Sequence, residues 1–108
     1  MKSYSPYLLH IIEEADYLIR QSADLDYSGF IENENLRRSF VRSLEIIGEA
    51  VKNLPQEFKD KHPDVEWKKI AGTRDMLIHH YFGVNYKIVW DLVKNQVLDL
   101  KKKIETYI

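Results

Sequence analysis

The sequence predicts an all-α protein, an antiparallel bundle of four to five helices. Apolar residues recur at intervals of three and four along most of the chain, and no segment shows the strict alternation of a half-buried strand. Short segments with Gly or Pro separate the helical stretches. The composition, 44% hydrophobic and 31% charged over 108 residues, is typical of a single folded domain, which we predict to span residues 1–108.

The first half of the chain carries two helical patterns. The first predicted helix runs from Tyr7 to about Ser22, with apolar positions at Leu8, Ile11, Ile12, Ala15, Leu18 and Ile19. Residues 24–29 are then expected to form a loop. The second predicted helix begins at Asn33 or Asn35, both good N-cap residues, and Pro55 closes it. Its apolar stripe is Leu36, Phe40, Leu44, Ile47, Val51 and Leu54.

The second half predicts two further helices. Residues 55–66 hold two prolines and several charges, so we expect a surface connection with at most a short helical turn. The third helix should start past Pro63 and Asp64 and end at Gly83, along the stripe Trp67, Ile70, Ala71, Leu77 and Ile78. Asn85 is predicted to cap a last helix that continues to the C-terminus on Val89, Val93, Val97, Leu100 and Ile104.

Composition excludes several classes of protein. Cysteine is absent, so the chain cannot hold a disulfide or a thiolate zinc site. No apolar run approaches the roughly 20 residues that cross a bilayer, and the first residues do not resemble a secretory signal, so we expect a cytoplasmic protein. The net charge of −1 argues against a generally basic nucleic-acid-binding domain. Any contact with RNA must therefore be local.

One charged residue interrupts the apolar face of the third helix. Positions 67, 70, 71, 74, 77, 78 and 81 share a face, and Arg74 is the exception to its apolar or amphipathic character. A guanidinium in this position is costly to desolvate without a partner. Either the face opens onto a cleft, or Arg74 pairs with a carboxylate such as Glu45 or Glu49 of the second helix.

Two histidines and a tyrosine follow Arg74 within two turns. His79 lies five residues after Arg74, about 140° around a regular helix, so the two side chains converge poorly on one straight helix. They meet at a common phosphate if the last turn deforms, or if a second copy supplies its own pair across a twofold axis. The neighbours His79 and His80 point about 100° apart and suit no shared metal ion, so we expect neither a metal nor another cofactor.

The residues around Arg74 resemble a known signature. The run 67–84, with the kernel R-x-x-x-x-H-x-Y, closely resembles that of HepT-like proteins, a bacterial and archaeal branch of the HEPN superfamily. Residues 36–50, which end in I-I-G-E-A, are similar to a second block of that family. The two blocks occur in the family's order, and the likeness spans nearly the whole chain.

The resemblance implies a HEPN bundle that dimerises, with Arg–His pairs facing each other across a cleft. It implies a toxin that acts on RNA and is paired with a small nucleotidyltransferase antitoxin. By position, Arg74 and His79 would be catalytic, and Tyr81 would be the tyrosine that the antitoxin modifies with AMP. Many family members have Asn directly after the Arg, where this chain has an Asp. The candidate supporting residues are Asp75, His80 and Glu49.

The function expected from this resemblance is that of a metal-independent endoribonuclease. The 2′-hydroxyl of RNA would attack the adjacent phosphorus, His79 would exchange protons near neutral pH, and Arg74 would stabilise the developing charge. A rival interpretation is a non-catalytic subunit that binds a nucleotide or RNA end for a partner nucleotidyltransferase. A third is a helical adaptor in which Arg74 is salt-bridged. The RNA class and any assembly beyond a dimer stay open at this point.

Overall fold

In the computed structural model, residues 5–79 and 83–108 are described, apart from the side chains of Arg74, Ile78 and His79. This part of the chain contains no strand, and the all-α prediction is confirmed. Its seven helices are α1 (Ser5–Ser22), α2 (Tyr27–Glu32), α3 (Glu34–Asn53), α4 (Gln56–Lys61), α5 (Trp67–His79), α6 (Tyr86–Asn95) and α7 (Val97–Glu105). The longer helices correspond to the four predicted patterns, and α2 and α4 are short additions.

Helix α1 lies antiparallel to its neighbours α3 and α6–α7. The hydroxyl of Tyr17 donates to Ser39 Oγ at 2.9 Å near the start of α3, whereas the start of α1 lies beside the second half of α3. Similarly, Lys94 Nζ donates to the carbonyl of Ser22 at 3.0 Å, and Lys101 pairs with Asp16. Because the partners run in opposite order along the chain, α1 contacts both neighbours head to tail.

Helix α2 occupies residues that we expected to form a loop, so that prediction is wrong from Tyr27 onwards. The side chain of Asp26 accepts from the Gly29 amide at 2.8 Å and caps the helix. Phe30 is fully buried, with its ring stacked 5.0 Å from Phe40 and 5.3 Å from Trp90. The burial of this ring against residues distant in the sequence explains why α2 forms, although six residues are too few to show a periodic pattern.

The capping residues predicted from the sequence mark the starts of α3 and α6 in the structure. The Asn33 side chain accepts from the Leu36 amide at 3.0 Å, as predicted for the N-cap of α3. The Asn85 side chain accepts from the amides of Lys87 and Ile88 and begins α6. Both caps satisfy amides that have no partner within the first turn of a helix.

The predicted last helix is divided in two at Gln96, whose φ of −116° departs from helical geometry. Hydrogen bonds nevertheless continue across the break, because the Gln96 amide donates to Leu92 O and its carbonyl accepts from the Leu100 amide, both at 3.0 Å. The predicted stripe stays buried on both sides of the break, at Val89, Val93, Val97, Leu100 and Ile104. The interruption at Gln96 therefore does not change which residues of the predicted stripe face the core.

The connection before α5 is more ordered than expected. It contains α4, which buries Phe58, and α5 begins at Trp67, past Pro63 and Asp64 as predicted. The indole of Trp67 donates to the carbonyl of His62 at 3.0 Å, which attaches the start of α5 to this connection. The predicted end of the helix at Gly83 lies beyond the described end of α5. No helix of the described residues is long and apolar enough to span a membrane.

Candidate functional site

Helix α5 carries the two residues that the sequence singled out as catalytic. Its backbone is α-helical from Trp67 through His79, so five residues of regular helix separate Arg74 from His79. This corresponds to about 140° around the axis and about 7.5 Å along it. A deformed last turn was one of the two ways in which Arg74 and His79 could meet at one phosphate. The backbone between the two residues shows no such deformation. The side chains of both residues, and the whole of His80 and Tyr81, lie outside the described part of the chain.

A salt bridge joins α3 to α5 beside Arg74. Lys52 Nζ lies 2.8 Å from Asp75 Oδ1, and these side chains are 39% and 44% exposed. A carboxylate at position 75 would by itself repel an RNA phosphate. The ammonium of Lys52 now compensates that charge, so a phosphate approaching α5 meets an ion pair rather than an isolated carboxylate.

Lys52 is a site residue that the sequence interpretation missed. It lies three residues after Glu49 and seven after Glu45, so the three residues share one side of α3. That spacing was visible in the sequence, but nothing local indicated that Asp75, 23 residues further along the chain, would be the partner of Lys52.

Glu45 and Glu49, the two carboxylates predicted as partners for Arg74, both lie on α3. Glu45 Oε2 lies 3.5 Å from Arg42 Nη1, and the Glu45 side chain is 24% exposed. Glu49, the predicted supporting residue, is exposed, and its backbone carbonyl accepts from Asn53 Nδ2 at 2.9 Å. Of the two carboxylates predicted as partners for Arg74, Glu45 is thus engaged by a residue of its own helix.

A polar groove of about 410 Å³ lies between the N-terminal half of α1 and the second half of α3. Its lining combines an aromatic ring, an imidazole, a guanidinium, an amide, two carboxylates and two apolar residues: Tyr7, His10, Arg42, Asn53, Glu45, Glu49, Ile46 and Ala50. Asn53 directly follows Lys52, so this α1–α3 groove adjoins the Lys52–Asp75 pair.

A second cavity, of about 270 Å³, lies between α3, α5, α6 and α7. Most of its lining surface is apolar and comes from residues such as Leu44, Ile47, Ile70, Leu92, Val97 and Leu100, and five charged residues also line it: Asp64, Glu66, Lys69, Asp99 and Lys103. Thr73, next to Arg74 in the sequence, also lines this cavity. Helix α5 therefore faces a cavity of apolar character on the side of Thr73.

The C-terminus fixes the start of α5. The hydroxyl of Tyr107 donates to Asp64 Oδ1 at 2.5 Å, and its ring stacks on His62 with the ring centroids 3.8 Å apart. The hydrogen bond from Tyr107 lowers the pKa of the Asp64 carboxyl, and burial together with that carboxylate raises the pKa of the Tyr107 phenol. Lys103 Nζ adds a hydrogen bond to the Asp64 carbonyl at 2.8 Å. These contacts hold the segment that leads into α5.

A metal site was not expected from the sequence. Within residues 5–79 and 83–108, no group of three or more His, Asp or Glu side chains is arranged to hold a metal ion. The imidazoles of His79 and His80 lie outside the described part of the chain.

Comparison with known proteins identifies the family. The model of the HepT-like ribonuclease family matches residues 9–107. A protein of Caldanaerobacter subterraneus that is provisionally named an RNase is 51% identical over 97% of this chain and 94% of its own length. A provisionally named RNase of Methanocaldococcus jannaschii is 45% identical over 99% of this chain and 88% of its own.

A protein of Thermococcus cleftensis, provisionally named ribonuclease HepT, is 38% identical over 96% of this chain and 94% of its own length. No solved structure matches the chain. The family match covers nearly every residue of the bundle, and it includes both α3 and the segment that carries Arg74 and His79. The chain therefore belongs to the HepT-like ribonuclease family.

Proposed function

We propose that this protein is a metal-independent endoribonuclease, the toxin of a type II toxin–antitoxin pair, and that it acts in the cytoplasm as a single-domain homodimer. The observation that carries the proposal is the family match over residues 9–107, which includes Arg74, His79 and Tyr81 in the order of the R-x-x-x-x-H-x-Y kernel. The names of the relatives, which designate them as RNases, support RNA as the substrate.

The chemistry requires a base, an acid and a cation. The 2′-hydroxyl of one nucleotide attacks its own 3′-phosphorus, the bond to the 5′-oxygen of the next nucleotide breaks, and a 2′,3′-cyclic phosphate forms. His79 transfers the protons, and Arg74 stabilises the charge that develops on the phosphoryl oxygens. None of these steps needs a metal ion.

The regular backbone of α5 supports a site shared by two copies of the chain. Within one copy, the backbone positions of Arg74 and His79 lie about 140° apart around the helix axis. A twofold axis next to α5 would bring the Arg74 of one protomer towards the His79 of its partner, and the two imidazoles could then divide the base and acid roles.

Tyr81 is the proposed point of control. Seven residues separate it from Arg74, which corresponds to about 20° on a continuous helix. An AMP group that the nucleotidyltransferase antitoxin attaches to Tyr81 would place anionic bulk over the Arg74 site and exclude the phosphate of RNA. A Tyr81→Phe variant should therefore stay active in the presence of the antitoxin and ATP, whereas the wild-type protein gains the mass of AMP and loses activity. Neutralisation of the Tyr81→Phe variant would contradict this role.

The nuclease proposal is tested with purified protein and labelled RNA in the presence of EDTA. The wild-type protein should cleave the RNA and leave cyclic phosphate ends, and Arg74→Ala and His79→Ala should each be at least about 100-fold slower. Arg38→Ala is the matched control, because Arg38 is an exposed arginine of α3 that pairs with Glu34 of the same helix. Cleavage that survives both substitutions would contradict the proposal, and RNA binding without cleavage would favour a non-catalytic binding subunit.

A further inference from the structure

We propose that the α1–α3 groove binds an unpaired guanine base of the RNA substrate, with Glu45 as the residue that recognises it. This inference deepens the proposed function and rests on it for the identity of the substrate. It assigns a base-recognition subsite to a surface that lies outside the Arg–His kernel.

The groove has the size and lining of a site for a planar heterocycle. Its volume of about 410 Å³ lies within the range of small-ligand sites. Tyr7 offers an aromatic ring that is itself packed against the core, and Ile46 and Ala50 provide apolar surface. Single-stranded RNA is recognised by this combination, in which a splayed-out base contacts aromatic or apolar groups and hydrogen bonds along its edge.

The charge of Glu45 favours a base over a phosphate at the part of the groove that Glu45 lines. The Glu45 carboxylate belongs to the lining, and its Oε2 lies 3.5 Å from Arg42 Nη1. A phosphate group placed against this carboxylate would be repelled, whereas a neutral base would not. Hydrogen-bond donors on the base are therefore the groups that this lining fits best.

Glu45 has the capacity to accept such donors. Its side chain is 24% exposed, and its contact with Arg42 is 3.5 Å, long for a charge-assisted hydrogen bond. A carboxylate has two oxygens and accepts several hydrogen bonds. Guanine presents an imino and an amino group side by side on its Watson–Crick edge, whereas adenine, cytosine and uracil each present a single donor group there. Guanine is therefore the base that a single carboxylate binds through two adjacent donors.

Helix α3 links the groove to the proposed catalytic helix α5. Asn53 lines the groove, and its neighbour Lys52 contacts Asp75 at 2.8 Å, next to Arg74 on α5. Glu45 and Lys52 are seven residues apart on α3, about 10 Å along the helix axis. One RNA strand can therefore place a base in the groove while its backbone passes the Lys52–Asp75 pair towards α5.

The first test measures binding of nucleosides, which have no phosphodiester bond to cleave. Saturation-transfer NMR and titration of the wild-type chain should show that affinity decreases from guanosine to inosine, which lacks the amino group, and from inosine to adenosine. Glu45→Gln should weaken guanosine binding at least tenfold, because it removes the charge from the acceptor. Glu34→Gln, which makes the same change at an exposed glutamate of the same helix, should leave guanosine binding unchanged. Equal binding of guanosine and adenosine, no binding of either, or full binding by the Glu45→Gln variant would overturn the proposal.

The second test measures cleavage preference and separates this inference from the nuclease proposal. Oligonucleotides that differ only in one unpaired G or A near the cleaved bond should be cut at different rates by the wild type, and Glu45→Gln should bring their ratio towards one. Selective guanosine binding without any RNA cleavage would remove the nuclease proposal and leave the subsite standing. Cleavage with an unchanged G-to-A ratio in the Glu45→Gln variant would remove the subsite and leave the nuclease standing.

Discussion

Replacing Lys52 by Ala tests whether the ion pair beside Arg74 keeps the phosphate path electrically neutral. Both partners are more than a third exposed, so the pair should contribute at most about 1 kcal/mol to the free energy of unfolding, and the fold should survive. The expected effect is instead on catalysis. Without the Lys52 ammonium, the Asp75 carboxylate would repel an RNA phosphate placed about 8 Å away by about 1 kcal/mol, at an effective dielectric constant of about 40. This energy corresponds to a roughly fivefold lower kcat/KM.

The assay is a double-mutant cycle with a labelled oligonucleotide at low and high salt. Asp75→Asn in the Lys52→Ala background removes the exposed charge, so the double variant should recover to within about twofold of the wild type. The loss in the single variant should shrink at high salt because the repulsion is screened. Lys61→Ala on α4, where Lys61 pairs with Glu57, is the matched control. A double variant as slow as Lys52→Ala would refute charge compensation and would indicate a direct contact of Lys52 with RNA.

Three further predictions concern stability, each measured by denaturant or thermal unfolding. Gly72→Ala in the exposed part of α5 should stabilise the protein by about 0.5–1 kcal/mol, whereas Gly83→Ala should destabilise it, because both sites have room for a Cβ but only Gly83 has a positive φ, +118°. Phe30→Ala should cost about 3–5 kcal/mol, since the ring is fully buried between two other aromatic rings. Tyr107→Phe should lower stability at neutral pH, and the difference from the wild type should disappear as the pH falls through the lowered pKa of Asp64, which starts from an ordinary value of 3.8. A wild-type-like stability of the Tyr107→Phe variant at neutral pH, a neutral Phe30→Ala change, or equal effects at the two glycines would contradict the respective prediction.

The sign of the pH effect follows from the direction of the shift. The hydrogen bond from Tyr107 favours the ionised carboxyl of Asp64 in the folded state, so its contribution is present above the carboxyl pKa of the unfolded chain. It is lost on acidification, when the carboxyl is protonated in both states. The raised pKa of the Tyr107 phenol adds a second limit, because a group with a raised folded-state pKa contributes stability that is lost as the pH rises.

The sequence alone determined the all-α class, the main helices and the family. Helix periodicity records which face of each segment is buried, and caps such as Asn33 and Asn85 act within a few residues of their own position, so both kinds of signal are local. The same locality explains the errors. The six residues of α2 are too few for a periodic pattern, and the helix depends on the burial of Phe30 against rings from α3 and α6.

The catalytic roles of Arg74 and His79 and the modification of Tyr81 are predictions of the R-x-x-x-x-H-x-Y kernel, and the experiments above address them. Only the tertiary structure brought Lys52 to Asp75, formed the α1–α3 groove around Glu45, and tied Tyr107 to Asp64. Each of these contacts joins residues at least 23 positions apart or on different helices. The distance and orientation at which two helices pack decide which of their side chains meet, and no local pattern along one helix encodes that geometry.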